Sequence, residues 1–212
     1  MITRLLTYLS QLILAVISAG GYAGIVALMA VESACIPLPS EIIMPYAGYL
    51  VGEGRFGLWW VGIAGAVGCN LGSAVAYTVG ARGGRPLIAR YGGYVLITRR
   101  DLEWAERWFA RYGEATVFFS RLLPVIRTFI ALPAGIARMN LLRFHLYTFL
   151  GSLPWCLGLA YLGLQFGEHW QESIQPYFHK FDLVIGLLLL LAVVWFGINR
   201  WRELRSSRAS GE

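Results

Sequence analysis

Four stretches of this chain run without a charged side chain over lengths that few soluble folds can bury: residues 5–31, 56–81, 144–167 and 183–199. A helix needs about 20 apolar residues to cross a hydrocarbon core roughly 30 Å thick, so each run is a candidate span. Composition agrees: 57% of the 212 residues are hydrophobic and only 14% are charged, with a mean hydropathy of +0.58. The expectation is an all-α integral membrane protein. Three shorter apolar pieces, 42–52, 117–120 and 128–137, cannot span.

Orientation follows from Arg and Lys in short loops rather than from net charge. Seven Arg fall within 82–111 and four follow residue 199, whereas the 168–182 loop holds Glu168, Glu172 and Asp182 against Lys180 alone. The two basic segments are expected on the cytoplasmic side of a bacterial inner membrane and the acidic loop outside. The formal charge of +6 is then a topology signal, and no nucleic acid is implied as a partner. Arg4, an apolar run and small residues at 18–20 also suggest a secretory signal. That run is too long for one and leads directly into a proline-and-acid stretch, so the N-terminus is expected to be retained.

With the tail inside, 183–199 enters the cytoplasm, 144–167 leaves it and 56–81 enters it. Residues 42–52 must then begin and end near the outer face, and residues 114–138 at the inner one. Each piece is interrupted by proline: Pro37 and Pro39 in "CIPLPSE", Pro124 in "FFSRLLPVIRT". Proline removes a backbone donor, which is tolerated at membrane depth only where protein or a wet cavity surrounds the break. Both pieces read as re-entrant helical hairpins whose legs, about ten residues or 15 Å long, reach the midplane. After the breaks, "SEIIMPYAG" (40–48) echoes "RTFIALPAG" (127–135). Hairpin plus span, twice and in opposite senses, is an inverted repeat, and transporters bind substrate where such discontinuous elements meet.

The segments follow from this. An N-terminal helix occupies 1–19, the first hairpin and span 20–81, a cytoplasmic amphipathic segment 82–113, and the second hairpin and span 114–167. An outer loop (168–182) and a last transmembrane helix with a basic tail (183–212) complete the chain. Residues 5–19, about 22 Å as helix, either lie on the outer surface or belong to a tilted span.

The first hairpin holds Glu32 and Glu41, the second Arg121 and Arg127. A charge at the bilayer centre costs roughly 2.5–3.5 kcal/mol on insertion scales, so four of them point to a site. Opposite signs on opposing hairpins are expected to meet, either as structural salt bridges or as a polar site. Arginine binds phosphate oxygens with a two-pronged fork and keeps its charge when desolvated, and this chain has 17 Arg to one Lys. Arg121 and Arg127 are therefore candidate phosphate ligands, with Ser120 and Thr128 as flanking donors that could instead serve backbone groups freed at Pro124. Glu32 and Glu41 are candidate proton carriers, because burial favours the neutral form of an unpaired carboxyl. Asn70 and Ser73 are candidates to line the cavity.

"ESACIPLPSE" (32–41), the Gly-rich "GCNLGSAVAYTVGARGG" (68–84) and "FFSRLLPVIRTFIALPAG" (118–135) together resemble the DedA family of bacterial inner-membrane proteins. Its fold is also called the SNARE-associated or VTT domain in eukaryotic lipid scramblases. The resemblance covers about residues 10–200. It implies handling of undecaprenyl phosphate, the lipid carrier of cell-wall precursors, or of a related anionic phospholipid, with dependence on the proton-motive force. It also implies that the essential residues are the two acids and two arginines already singled out. Many members carry Asp at the second acidic position after a longer insertion, and the compact "PLPSE" form with Glu41 weakens the transfer of substrate identity.

Other features weigh less. Gly68, Gly72, Ala76 and Gly80 recur every fourth residue, a stripe that lets a second helix approach closely and could also serve a homodimer. "TRRDLEWAERWFARYG" (98–113) reads as an amphipathic helix capped by Thr98, with Leu102, Ala105, Trp108, Phe109 and Tyr112 on one face. Cys35, Cys69 and Cys156 read as buried thiols, no His has ligand spacing, and no metal or cofactor is called for. The expected activity is transport of a lipid substrate with protons. A proton-coupled carrier of small solutes, cations or drugs, a polyprenyl-phosphate phosphatase and a scaffold are the alternatives. The phosphatase lacks a nucleophile with an adjacent base.

Overall fold

A computed structural model describes residues 2–36, 38–95, 99–123 and 126–167. Pro37, Pro124, Thr98, the 168–182 loop, the fourth apolar run and the basic tail lie outside them. Everything regular among the described residues is helical: α1 (Ile2–Ser33), α2 (Ser40–Gly52), α3 (Leu58–Val95), α4 (Arg99–Ser120), α5 (Ile126–Phe129), α6 (Ala131–Ile136) and α7 (Leu141–Phe166). Three stretches are long and apolar enough to cross a membrane: Gln11–Ser33, Leu58–Gly84 and Leu141–Phe166.

The first of these is not a straight rod. Gly21 leaves helical geometry at φ 56°, ψ −135°, a region glycine enters without a Cβ penalty. A Cβ built on Gly24 would lie 2.4 Å from the carbonyl oxygen of Val16. Residues eight apart along a straight helix are separated by about 12 Å, so the part of α1 before Gly21 turns back on the part after it. α1 then gives way to a turn in which Cys35 has φ 68°, and Pro39 sits at the N-cap of α2. α2 is about 20 Å long, too short to span.

Two boundaries drawn from charge are absent from the backbone. α3 continues through Arg82 to Val95, and α4 runs unbroken through Gly113 to Ser120, so the amphipathic segment and the following leg are one helix. Arginine is a good helix former, so the onset of charge ends the apolar run without ending the helix. The single apolar face expected on α4 also divides. Phe109 is buried with Met139, while Trp108 and Tyr112 stack on each other at 5.0 Å and remain exposed. After the Arg121–Leu123 turn, α5 and α6 form an almost continuous apolar helix over Ile126–Ile136.

Small residues set how these helices cross. Gly68 and Gly72 on α3 leave room for the backbone of α1 at Val26 and Ala30. α2 crosses α7 where a Cβ on Gly48 would meet the Ala160 carbonyl and one on Gly163 the Pro45 carbonyl. α6 crosses α3 in the same manner: Gly135 faces the Tyr77 carbonyl and Gly80 the Leu132 carbonyl. α3 also packs against α7, and α4 against α7. About a quarter-turn round α3 from the glycine stripe, Leu71, Val75 and Val79 are exposed, as are Leu142, Leu146 and Leu150 along α7. Such an apolar exterior suits a lipid solvent, while the core within is mostly apolar with a small buried polar cluster.

Candidate functional site

Among the described residues, the polar and charged side chains buried in this fold are Glu32, Ser33, Ser40, Glu41, Ser73, Ser120, Arg121, Arg127, Thr148 and Ser152. They come from the end of α1, the start of α2, the middle of α3, the turn after α4, α5 and α7. A buried charge demands a partner, and the two breaks in helicity bring the partners together.

Arg127 Nη2 lies 2.5 Å from Glu32 Oε1, both side chains nearly sealed from solvent, and the same nitrogen donates to Ser40 Oγ. Ser40 Oγ in turn donates to Glu41 Oε1 at 3.1 Å, and Ser33 Oγ to Glu32 Oε2 at 3.3 Å. Arg127 Cζ lies 5.1 Å from the centre of the Trp155 ring, a cation–π distance. The thiol of Cys35 reaches the Thr128 carbonyl at 3.5 Å, a second tie between the two breaks. Arg121 donates from Nη2 to Ser73 Oγ at 2.8 Å, and its Cβ packs where a side chain at Gly151 would stand.

The four charges named from sequence are thus gathered in one buried cluster, with Ser73 beside them. Pro39 caps α2 at its edge. Ser120 Oγ donates to the Val117 carbonyl, which serves the backbone. Thr128 is half-buried and contributes its carbonyl. Asn70 bridges α3 to α7: its Nδ2 donates to the His145 carbonyl at 2.9 Å, and its Oδ1 pairs with His145 Nδ1.

Sequence reasoning missed Ser40, Thr148 and Trp155. Four buried side-chain atoms among the described residues have no hydrogen-bond partner: Arg121 Nε, Arg127 Nε, Thr148 Oγ1 and Trp155 Nε1. Every one of them can donate. An orphaned buried donor costs about 1–3 kcal/mol. Thr148, Gly151 and Trp155 share one face of α7 at helical spacing, which seats the two arginines about one turn apart along it. Two buried guanidinium groups surrounded by unspent donors suit an anion with several acceptor oxygens.

The profile of the VTT domain matches residues 38–165, more than half of the chain. The chain belongs to the VTT domain family. This is the family the three motifs resembled, under its other name, DedA. One VTT-domain relative, "Undecaprenyl phosphate transporter A" of Bacillus subtilis (strain 168), is 39% identical over 172 residues, 81% of each chain. A protein of the same name from Staphylococcus aureus is 28% identical over 195 residues, 90% of this chain and 96% of its own. An "Alkaline phosphatase-like protein" of Lactococcus lactis subsp. lactis is 32% identical over 201 residues, 91% and 94%. No solved structure matches the chain. The helices and these relatives make it a multi-pass membrane protein.

Proposed function

We propose that this VTT-domain chain carries undecaprenyl phosphate, or a closely related anionic phospholipid, across the bacterial cytoplasmic membrane together with protons. The observation that carries the reading is the buried Arg121–Arg127 pair with its unspent donors, joined to a 39% identical relative named for that transport. The two helical breaks act as the tips of opposed re-entrant hairpins in an inverted repeat. The paired crossings of α2 on α7 and α6 on α3 support that assignment.

In the arrangement described here Arg127 is held by Glu32. A phosphate can take Arg127 only if Glu32 lets go, and a proton on Glu32 removes the charge that holds it. Headgroup and proton therefore enter together, and Glu32 recaptures Arg127 when both leave. Arg121, whose partner is the Ser73 hydroxyl, receives the phosphate first, and the polyprenyl tail stays in lipid throughout. Glu41 reaches Arg127 through Ser40 and is the second candidate proton carrier.

The test is a headgroup-accessibility assay of undecaprenyl phosphate in proteoliposomes under a pH gradient. Intact protein is expected to move the headgroup, and Arg121→Ala/Arg127→Ala to abolish movement. Full activity in the double variant would remove the phosphate from the hairpin arginines.

A further inference from the structure

A second charged region lies away from the buried pair. The latter half of α4, the 137–140 turn and the first two turns of α7 enclose a half-open cavity of about 660 Å³. Arg111, Arg138 and Arg143 line it together with one acid, Glu114, so its formal charge is positive. Phe118 and Phe119, edge to face at 5.3 Å, form an apolar wall.

Two of the arginines have a specific contact there, and the third has an unusual backbone. Arg143 Nη1 lies 2.7 Å from Glu114 Oε1. The Arg111 guanidinium sits 5.2 Å from the centre of the Tyr112 ring. Arg138 adopts φ 51°, a left-handed conformation that costs a non-glycine residue roughly 1–2 kcal/mol, and its side chain is exposed.

The depth of the cavity identifies its occupant. It stands where the apolar stretch of α7 begins at Leu141 and where α4 passes from charged residues to apolar ones after Glu114, which is headgroup level. Below the mouth, Leu142, Leu146 and Leu150 are exposed in a row along α7, a track for a hydrocarbon chain. Glu114 is seven residues from Arg121 along the chain, about 10 Å along α4.

We propose that this cavity is a headgroup site for an anionic membrane lipid, distinct from the buried arginine pair and reached laterally from the bilayer interface. Phosphate oxygens engage Arg138 and Arg111, Arg143 stays with Glu114, and the first chain methylenes lie against Phe118 and Phe119. Charge complementarity selects anionic over zwitterionic headgroups.

The experiment counts phosphatidylglycerol held by the purified full chain in native mass spectrometry. The variants are Arg138→Gly and Arg111→Gln/Arg138→Gly. Arg138→Gly removes the guanidinium while relieving the left-handed backbone, so lost binding is not lost fold. The expected result is an apparent affinity about tenfold weaker in Arg138→Gly, the value of one charge-assisted contact. Binding should be weaker again in the Arg111→Gln/Arg138→Gly variant. Phosphatidylcholine should not be held, and millimolar inorganic phosphate should not displace the lipid. Undiminished binding in both pocket variants would overturn the proposal. Equal retention of phosphatidylcholine would reduce the site to an apolar groove, and displacement by inorganic phosphate would make it a free-anion site; either overturns it. Pocket binding without transport would defeat only the transport reading, and transport without pocket binding only this one.

Discussion

At the scale of single residues, the buried Glu32–Arg127 pair decides most of what can be predicted. Removing one partner of a buried ion pair strands the other charge, typically at a cost of about 3–5 kcal/mol. Arg127→Ala should therefore lower the thermal unfolding temperature in detergent sharply, and Glu32→Gln/Arg127→Gln should recover most of the loss. If the double variant were as unstable as the single one, the pair would not be a coupled unit. Thr148→Val should behave oppositely. It takes away an unpartnered buried hydroxyl in nearly the same volume, so stability should hold or rise while headgroup transfer falls severalfold. Unchanged transfer would exclude Thr148 as a contact. The charged residues of this site were legible in sequence because an ion in an apolar run has no cheap explanation. Thr148, Ser40 and Trp155 were not, since a hydroxyl or an indole in a membrane helix usually signifies packing, and only the fold shows its donor unspent.

At the scale of elements, the glycine crossings are the informative feature. Gly48 and Pro45 on α2 correspond to Gly135 and Leu132 on α6, each 87 residues later, and Ala160 and Gly163 on α7 follow Tyr77 and Gly80 on α3 by 83. α2 thus packs on α7 and α6 on α3 with the same glycine-to-carbonyl contacts. A methyl group at Gly48 would fall 1.9 Å from the Ala160 oxygen, and one at Gly135 2.1 Å from the Tyr77 oxygen. Gly48→Ala and Gly135→Ala should each destabilise by about 1–3 kcal/mol, the usual cost of overpacking, and by similar amounts in denaturant titration. A large effect at one position and none at the other would mean the crossings are not equivalent. The sequence echo at 40–48 and 127–135 pointed to α2 and α6, but nothing in it indicated which long helix each would cross. The helices also run on through the charge boundaries at 82 and 113, because hydropathy reports where a helix leaves lipid and not where it stops.

At the scale of the whole molecule, apolar side chains cover much of the described exterior as well as most of the core, and ten polar or charged side chains are buried among them. That so apolar a surface surrounds the fold follows from composition alone. What composition could not supply is that Arg127 is already engaged by a carboxylate, so that a lipid phosphate must compete for it. This competition is the core of the proposed coupling between lipid and proton. It is tested most directly by titrating a short-chain prenyl phosphate against the purified protein at neutral pH, comparing intact chain, Glu32→Gln and Arg127→Ala. Competition predicts that Glu32→Gln binds about tenfold or more tightly, a gain of at least ~1.4 kcal/mol, with the pH dependence flattened, and that Arg127→Ala hardly binds. Equal affinity in intact protein and Glu32→Gln, with the same pH dependence, would contradict it and return the pair to a purely structural role.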